Sequence, residues 1–554
     1  MKRLVLVLSA LFCWLAPAQE VSQSGLRLDR ARPMVSQPLR APNGMIASVH
    51  ELATQAGIGI LQKGGNAVDA AVAVGFVLAV VHPEAGNLGG SGFMLLRMRD
   101  GKVHAIDYAG TAPSAARPGM FKTRLEANVG YKSVAVPGTP AGLGLAHDKF
   151  GRLKWADCLE PARKLAKDGF PASMRLELIL RLQVPVMKQF AESSRIFLHG
   201  ADQPLKQGEL VKQPELADTI RRLQRKGWRE FYEGETARRI AADMSARGGL
   251  ITEEDLRQYR ALLVVPLRSE FRGHAVLTMP PSSSGGLALA VALNVLDRYP
   301  MPPGMEGSAA SRHLLIEAMR RGFAARDRVF KEGESIMGAI LSPEYTRQIT
   351  ANLQAGRATG EVPAPAATNE SPDTTHFTVV DSEGSMVTNT YTLSGFFGSQ
   401  VTATGTGVLL NNHMSVFSSR PGTYNSIEPG RRYRSTMAPT IVLRRDGAGW
   451  LALGTPGAGT IPSTLAQVIV NMIDFRMSLR DAVEFPRIHA QTGPVEAEPA
   501  ALVFEVAEKL KQMGHNLAPR HRSQGDVSMI EIEEGTGWRV GWADGRRGGF
   551  VKGY

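Results

Sequence analysis

The alternation of apolar and polar positions separates helix-patterned from strand-patterned stretches. Residues 51–63, ELATQAGIGILQK, read as a helix that stops at Gly64-Gly65, a helix-ending pair. Asn66 then caps a second helix, with Asp69 three residues on as in a capping box. Residues 67–81 are apolar almost all round, so this helix is predicted to lie inside a core. After the glycine-rich turn GNLGGSG come two β-rich segments joined at Asp100-Gly101, a hairpin signal. Residues 155–328 carry mostly helical pattern, and Thr252 with Asp255 marks one clear helix start.

From Thr374 the character changes. TTHFTVVD alternates, residues 381–384 turn, and SMVTNTYTL returns. APTIVLRRDGAGWLALGTPG repeats the hairpin theme, and a helix over IPSTLAQVIVNMIDF follows. Strands flanked on both sides by buried helices predict layered α and β, with sheets enclosed by helices.

Composition narrows the class. A 554-residue chain that is 43% hydrophobic and 21% charged buries a large core and is not disordered in bulk. Length alone suggests three or four domains, or fewer large ones. The net charge of +12 is spread over short pairs such as Arg320-Arg321 and Arg431-Arg432, with no basic run interleaved with aromatics. No nucleic-acid partner is expected. Lys2 and Arg3, the apolar residues 4–15, and Ala16-Pro17-Ala18 make a secretory signal with cleavage before Gln19. The mature protein is therefore expected to be exported, periplasmic or secreted, without a membrane anchor. Cys13 leaves with the signal and Cys158 is alone, so no intrachain disulfide is expected. No Cys/His cluster has zinc spacing, and neither metal nor cofactor is expected. GNLGGSG lacks the Gly-Lys-Ser/Thr ending of a phosphate loop.

The chemistry centres on one junction. The Pro/Ala/Asn-rich stretch GRATGEVPAPAATNESPD ends abruptly at Thr374-Thr375-His376, where a strand opens. A loop entering a hairpin is one account. The other is a cut between Asp373 and Thr374. An amino-terminal threonine carries its own base, because its free α-amine titrates at about 7.7–8.0 and can take the hydroxyl proton. Inside an intact chain that nitrogen is an amide and cannot act.

The surrounding motifs favour the second account. VVHPEAGNLGGSGFML, VAVPGTPAGL, GGLITEEDLRQYRA, MPPSSSGG, TTHFTVVD, GVLLNNHMSVFS, STMAPTIV and GTPGAG, in this order, resemble the γ-glutamyltransferase (γ-glutamyltranspeptidase, glutathione hydrolase) family of N-terminal-nucleophile hydrolases. The resemblance implies an α+β fold, a four-layer αββα sandwich. It also implies a proenzyme with signal 1–18, large subunit 19–373 and small subunit 374–554, the two subunits forming one interleaved catalytic unit. Thr374 is the implied nucleophile, and Thr392 the threonine that supports it by hydrogen bonding. Gly457 and Ala458 take the places of the two glycines whose amides form the oxyanion hole. Ser435 and Thr436 match a Ser-Ser pair that contacts the substrate carboxylate. The implied substrate is a γ-glutamyl amide such as glutathione, or another acyl amide.

The departures concern specificity. Ala109, in DYAGTAP, stands where the family has a glutamyl-binding arginine, and Val416, in NNHMSVF, where it has an aspartate. His413 replaces a glutamine, Ser394 an asparagine, and Arg434 an apolar residue. Ser394, His413 and Arg434 are expected as further substrate contacts, with Arg434 a candidate substitute cation. Charge-assisted pairs of the lost kind are worth roughly 1.5–3 kcal/mol each. These losses raise a second reading, an acylase with another acyl specificity, and a third, a processed but inactive binding protein.

Overall fold

The computed structural model describes residues 37–200, 202–360, 373–521 and 523–554. The expected signal segment and most of the loop before the proposed cut lie outside the described residues. Residues 38–554 form a single unit, the outcome with fewer domains than length alone suggested.

Two seven-stranded sheets face each other. One runs, edge to edge, Phe550–Gly553, Met45–Ser48, Thr374–Val380, Met386–Thr392, Ser91–Arg97, Val103–Tyr108 and Leu262–Val264. The other runs Leu39–Ala41, Arg539–Ala543, Ser528–Ile532, Gly449–Gly454, Thr440–Leu443, His274–Thr278 and Leu267–Phe271. All named pairings within both sheets are antiparallel.

Helices cover the outer faces. Ala67–Val81 is buried along its whole length and packs on the first sheet, with the predicted Asn66/Asp69 capping box in place. Apolar side chains from both the helix and the sheet meet there, including Phe377, Val379 and Tyr391. Ser284–Leu296 and Thr460–Ile473 cover the second sheet. The order helix, sheet, sheet, helix is the four-layer α+β sandwich, and a strand hides one face on each neighbour because its side chains alternate.

The inner face of the Thr374 hairpin is polar. His376 is buried there among threonines: its Nδ1 lies 2.8 Å from Thr390 Oγ1, and its Nε2 lies 3.0 Å from Thr378 Oγ1 and 3.1 Å from Thr388 Oγ1. Gly454 of the facing sheet leaves room for the ring, since a Cβ there would run into it.

Candidate active site

Thr374 opens its strand and pairs in register with Thr392, the last residue of the return strand. Both are buried. The Thr392 hydroxyl donates to the Asp373 carbonyl oxygen at 2.8 Å and accepts the Ser394 N–H at 2.8 Å. That second bond fixes the direction of the first, because the hydroxyl has one proton and it is given to the carbonyl of the bond under consideration. Ser394 reaches this position with φ of 80°, in the left-handed region that favours glycine and asparagine. The asparagine expected at this site fits that backbone; serine occupies it at a cost.

The glycine turn 86–90 packs against this corner. A Cβ on Gly90 would meet the Thr392 carbonyl oxygen, so the turn needs glycine for close approach rather than for an anion.

Across the sheets, the strand Gly449–Gly454 runs into Thr455-Pro456-Gly457-Ala458. Gly457 has φ of 138° and Ala458 has φ of 52°. Thr460 ties back the Gly457 carbonyl through its N–H, at 3.1 Å, and its hydroxyl, at 2.9 Å.

Between the two loops lies a small recess. Thr374, Thr392, Ser394 and Ala458 form one side, with Ser435 and Thr436 as further polar lining. Val416, Tyr433, Met437 and Ile461 supply the apolar part. The motif MPPSSSGG holds Ser435 in place: Ser284 donates to its carbonyl from N–H, at 2.6 Å, and from Oγ, at 2.8 Å. Helix begins at Ser284, inside that motif.

The Thr374 hydroxyl, the Asp373 carbonyl held by Thr392 and the turn that carries Ala458 are the kinds of group an acyl-transfer site requires; Gly457 itself does not line the recess. The sequence model described as gamma-glutamyltranspeptidase matches residues 53–554. The chain belongs to the gamma-glutamyltranspeptidase family.

It is 38% identical over 484 residues to the glutathione hydrolase proenzyme of Escherichia coli (strain K12), covering 83% of each chain. It is 36% identical over 521 residues to the acylase ACY 1 proenzyme of Pseudomonas sp. (strain V22), covering 89% of this chain and 90% of that one. Its fold matches the crystal structure of cephalosporin acylase from Bacillus halodurans with a TM-score of 0.84 at 27% identity, covering 95% and 98% of the two chains.

Two residues expected at the gamma-glutamyltranspeptidase substrate site are placed elsewhere. His413 does not line the recess; it is fully buried and stacks on Tyr433 with centroids 4.5 Å apart. Burial pushes its pKa down to about 3, so it is neutral. Arg434 turns away as well. Its guanidinium donates to the Pro281 carbonyl at 3.1 Å, pairs with Glu334 at 3.0 Å and lies 4.3 Å from the Tyr424 ring centroid. It is committed to these partners and supplies no cation to the recess.

Of the two departures, Val416 lines the recess and Ala109 does not. Ala109 is buried, and its carbonyl accepts from Tyr259 Oη at 2.9 Å and from Arg432 at 2.8 Å. Sequence reasoning missed Tyr433, whose hydroxyl bonds Ser91 Oγ at 2.8 Å behind the recess. Its position beside Arg434 and Ser435 was the available signal.

Among the described residues, two groupings bring three potential metal ligands within 4.8 Å: Asp69, His147 and Cys158, and His313, Glu317 and His515. Neither lines the recess. Asp69 is spent on the N–H groups of Asn66, Arg152 and Leu153, and Glu317 on Arg321 and Thr359. Both are wired as hydrogen-bond networks.

Proposed function

We propose that the chain matures by self-cleavage between Asp373 and Thr374, and that Thr374 then hydrolyses γ-glutamyl amides such as glutathione. The carrying observation is the Thr392 hydroxyl on the Asp373 carbonyl. The Thr374 hydroxyl oxygen attacks that carbonyl carbon, the C–N bond breaks, and the nitrogen takes the proton to become the free amine. Water opens the resulting ester. In the mature enzyme the new amine takes the Thr374 hydroxyl proton during attack on substrate, and the leaving amine receives it. The amides of Gly457 and Ala458 stabilise the oxyanion. Water, or an amino acid or peptide amine, then removes the acyl group. The leader sequence supports export, to the periplasm or beyond; among the described residues no helix is long and apolar enough to cross a membrane.

The recess lining favours a second reading, an acyl specificity other than glutamyl. Its only ionisable side chain is Tyr433, and Val416 leaves no anion for a substrate α-amine. The acylase relatives support the same direction.

The purified protein, tested on γ-glutamyl, glutaryl and simple acyl anilides, decides between them. Two fragments, the smaller beginning Thr-Thr-His-Phe, and turnover of the L-γ-glutamyl anilide are expected on the first reading. Turnover confined to acyl groups without the α-amine selects the second. A Thr374→Ala chain that still splits at this bond would remove the basis of both.

A further inference from the structure

The turn that carries Gly457 and Ala458 is held from behind by two threonine hydroxyls that the proposed reaction leaves without a part. Thr455 Oγ1 accepts the Asp526 N–H at 2.8 Å and donates to the Pro456 carbonyl at 2.9 Å. The hydroxyl has one proton, and the bond it accepts directs that proton to the carbonyl. Thr460 Oγ1 donates to the next carbonyl, that of Gly457, at 2.9 Å, beside its own N–H at 3.1 Å. Both threonines are buried, and neither lines the recess.

Each hydroxyl also sits in a space that a glycine keeps open. A Cβ on Gly457 would run into Thr460 Oγ1, and one on Gly525 would run into Thr455 Oγ1. Both glycines have positive φ, 138° and 73°. A trans peptide unit is planar, and its C=O and N–H point in opposite directions. The Pro456 carbonyl shares its unit with the Gly457 N–H, and the Gly457 carbonyl shares its unit with the Ala458 N–H. Holding the two carbonyls therefore aims the two N–H groups. Among the described residues neither N–H donates to a backbone carbonyl.

We propose that Thr455 and Thr460 are positioning residues that set the direction of the oxyanion donors, one hydroxyl for each amide. This rests on the reading of the Gly457 and Ala458 amides as those donors, and it is independent of which acyl group fills the recess. The two threonines are unequal. The Thr460 N–H still holds the Gly457 carbonyl when the hydroxyl is gone, whereas among the described residues only the Thr455 hydroxyl holds the Pro456 carbonyl.

The test uses the processed enzyme and the acyl group that gives the fastest anilide. That anilide is paired with its thioanilide, in which sulfur replaces the carbonyl oxygen and accepts hydrogen bonds poorly. Thr455→Val should lower kcat for the anilide by about tenfold or more with KM within about twofold, and should shrink the preference for oxygen over sulfur by a similar factor. Thr460→Val should do the same to a smaller degree. Thr455→Ser and Thr460→Ser, which keep the hydroxyl, should hold both kcat and the oxygen preference near wild type. Unchanged kcat in Thr455→Val overturns the proposal. So does a fall in kcat with the oxygen preference intact, because lost packing would act on both substrates alike. If a valine variant does not mature, its serine counterpart decides: wild-type kcat and oxygen preference uphold the hydroxyl's role, and a tenfold loss (about the size expected for valine) overturns it. Absence of wild-type turnover on every anilide would instead sink the assignment of Thr374.

Discussion

The Thr392 hydroxyl has two duties and one proton. It accepts from Ser394 and gives its proton to the Asp373 carbonyl, so removing it takes a hydrogen bond from each of two buried backbone groups. Such a loss costs about 1–3 kcal/mol per group. Thr392→Val, which keeps the shape, should therefore slow maturation at least tenfold in a gel time course, whereas Thr392→Ser should mature at near the wild-type rate. Equal rates for the two variants would take Thr392 out of the reaction. A neighbouring position carries strain instead of a bond. Ala458 sits at φ of 52°, where an L side chain costs about 1–2 kcal/mol. Ala458→Gly should raise the urea midpoint by an amount corresponding to about 0.5–1 kcal/mol, the added freedom of the unfolded chain offsetting the rest. The motif showed that alanine stands at this place; it did not show the backbone angle that makes it expensive. Arg434 teaches the same lesson. Its neighbours in sequence suggested a ligand, and Glu334, a hundred positions away, claims it.

At the scale of elements, local pattern was a good guide. The buried helix Ala67–Val81 has the predicted bounds, and its neighbour Glu51–Gln62 ends one residue before the predicted 63. Both follow from signals within a few residues, a capping box and a glycine pair. The hairpin Thr374–Val380 and Met386–Thr392 was legible for the same reason. Its inner face was less so, because the threonines around His376 were an alternation without a stated use. That cage has a consequence in acid. Burial pushes the His376 pKa down to about 3, whereas the unfolded residue takes a proton near 6.5. Between those values the unfolded state binds more protons, so stability falls as pH falls. His413 behaves alike. The urea midpoint should drop between pH 7 and pH 4.5, by about 2–3 kcal/mol for each histidine. A midpoint independent of pH over that range would mean that the cage admits the charged ring. By the same reasoning His376 is already neutral where the enzyme works, so the acylation rate should follow the Thr374 amine rather than this histidine.

On the scale of the whole molecule, sequence order and spatial order part company. No local pattern announces that Phe550–Gly553 lies beside Met45–Ser48, or that Met45–Ser48 lies beside Thr374–Val380. These neighbours are distant in the chain, and the resemblance implied only the layers and not which strands adjoin. The first sheet alternates strands from before and after residue 373: the last strand of the chain, one from its beginning, the Thr374 hairpin, then three more from the first part. A cut at that residue severs the chain and leaves every ladder bond intact. The two fragments should co-elute under native conditions and separate only in denaturant.

That interleaving changes the molecularity of recovery. While the chain is whole, its return from denaturant is a one-body event, and the yield of Thr374→Ala should not depend on how dilute the protein is. Once cut, each half lacks strands that only the other half holds, and return becomes a two-body search. The yield for the mature enzyme should fall steeply on dilution, and equal yields for the two forms would show that the halves rebuild independently. Maturation on this account is a ratchet: the enzyme becomes active by a step that makes any later loss of the fold, at low concentration, effectively permanent.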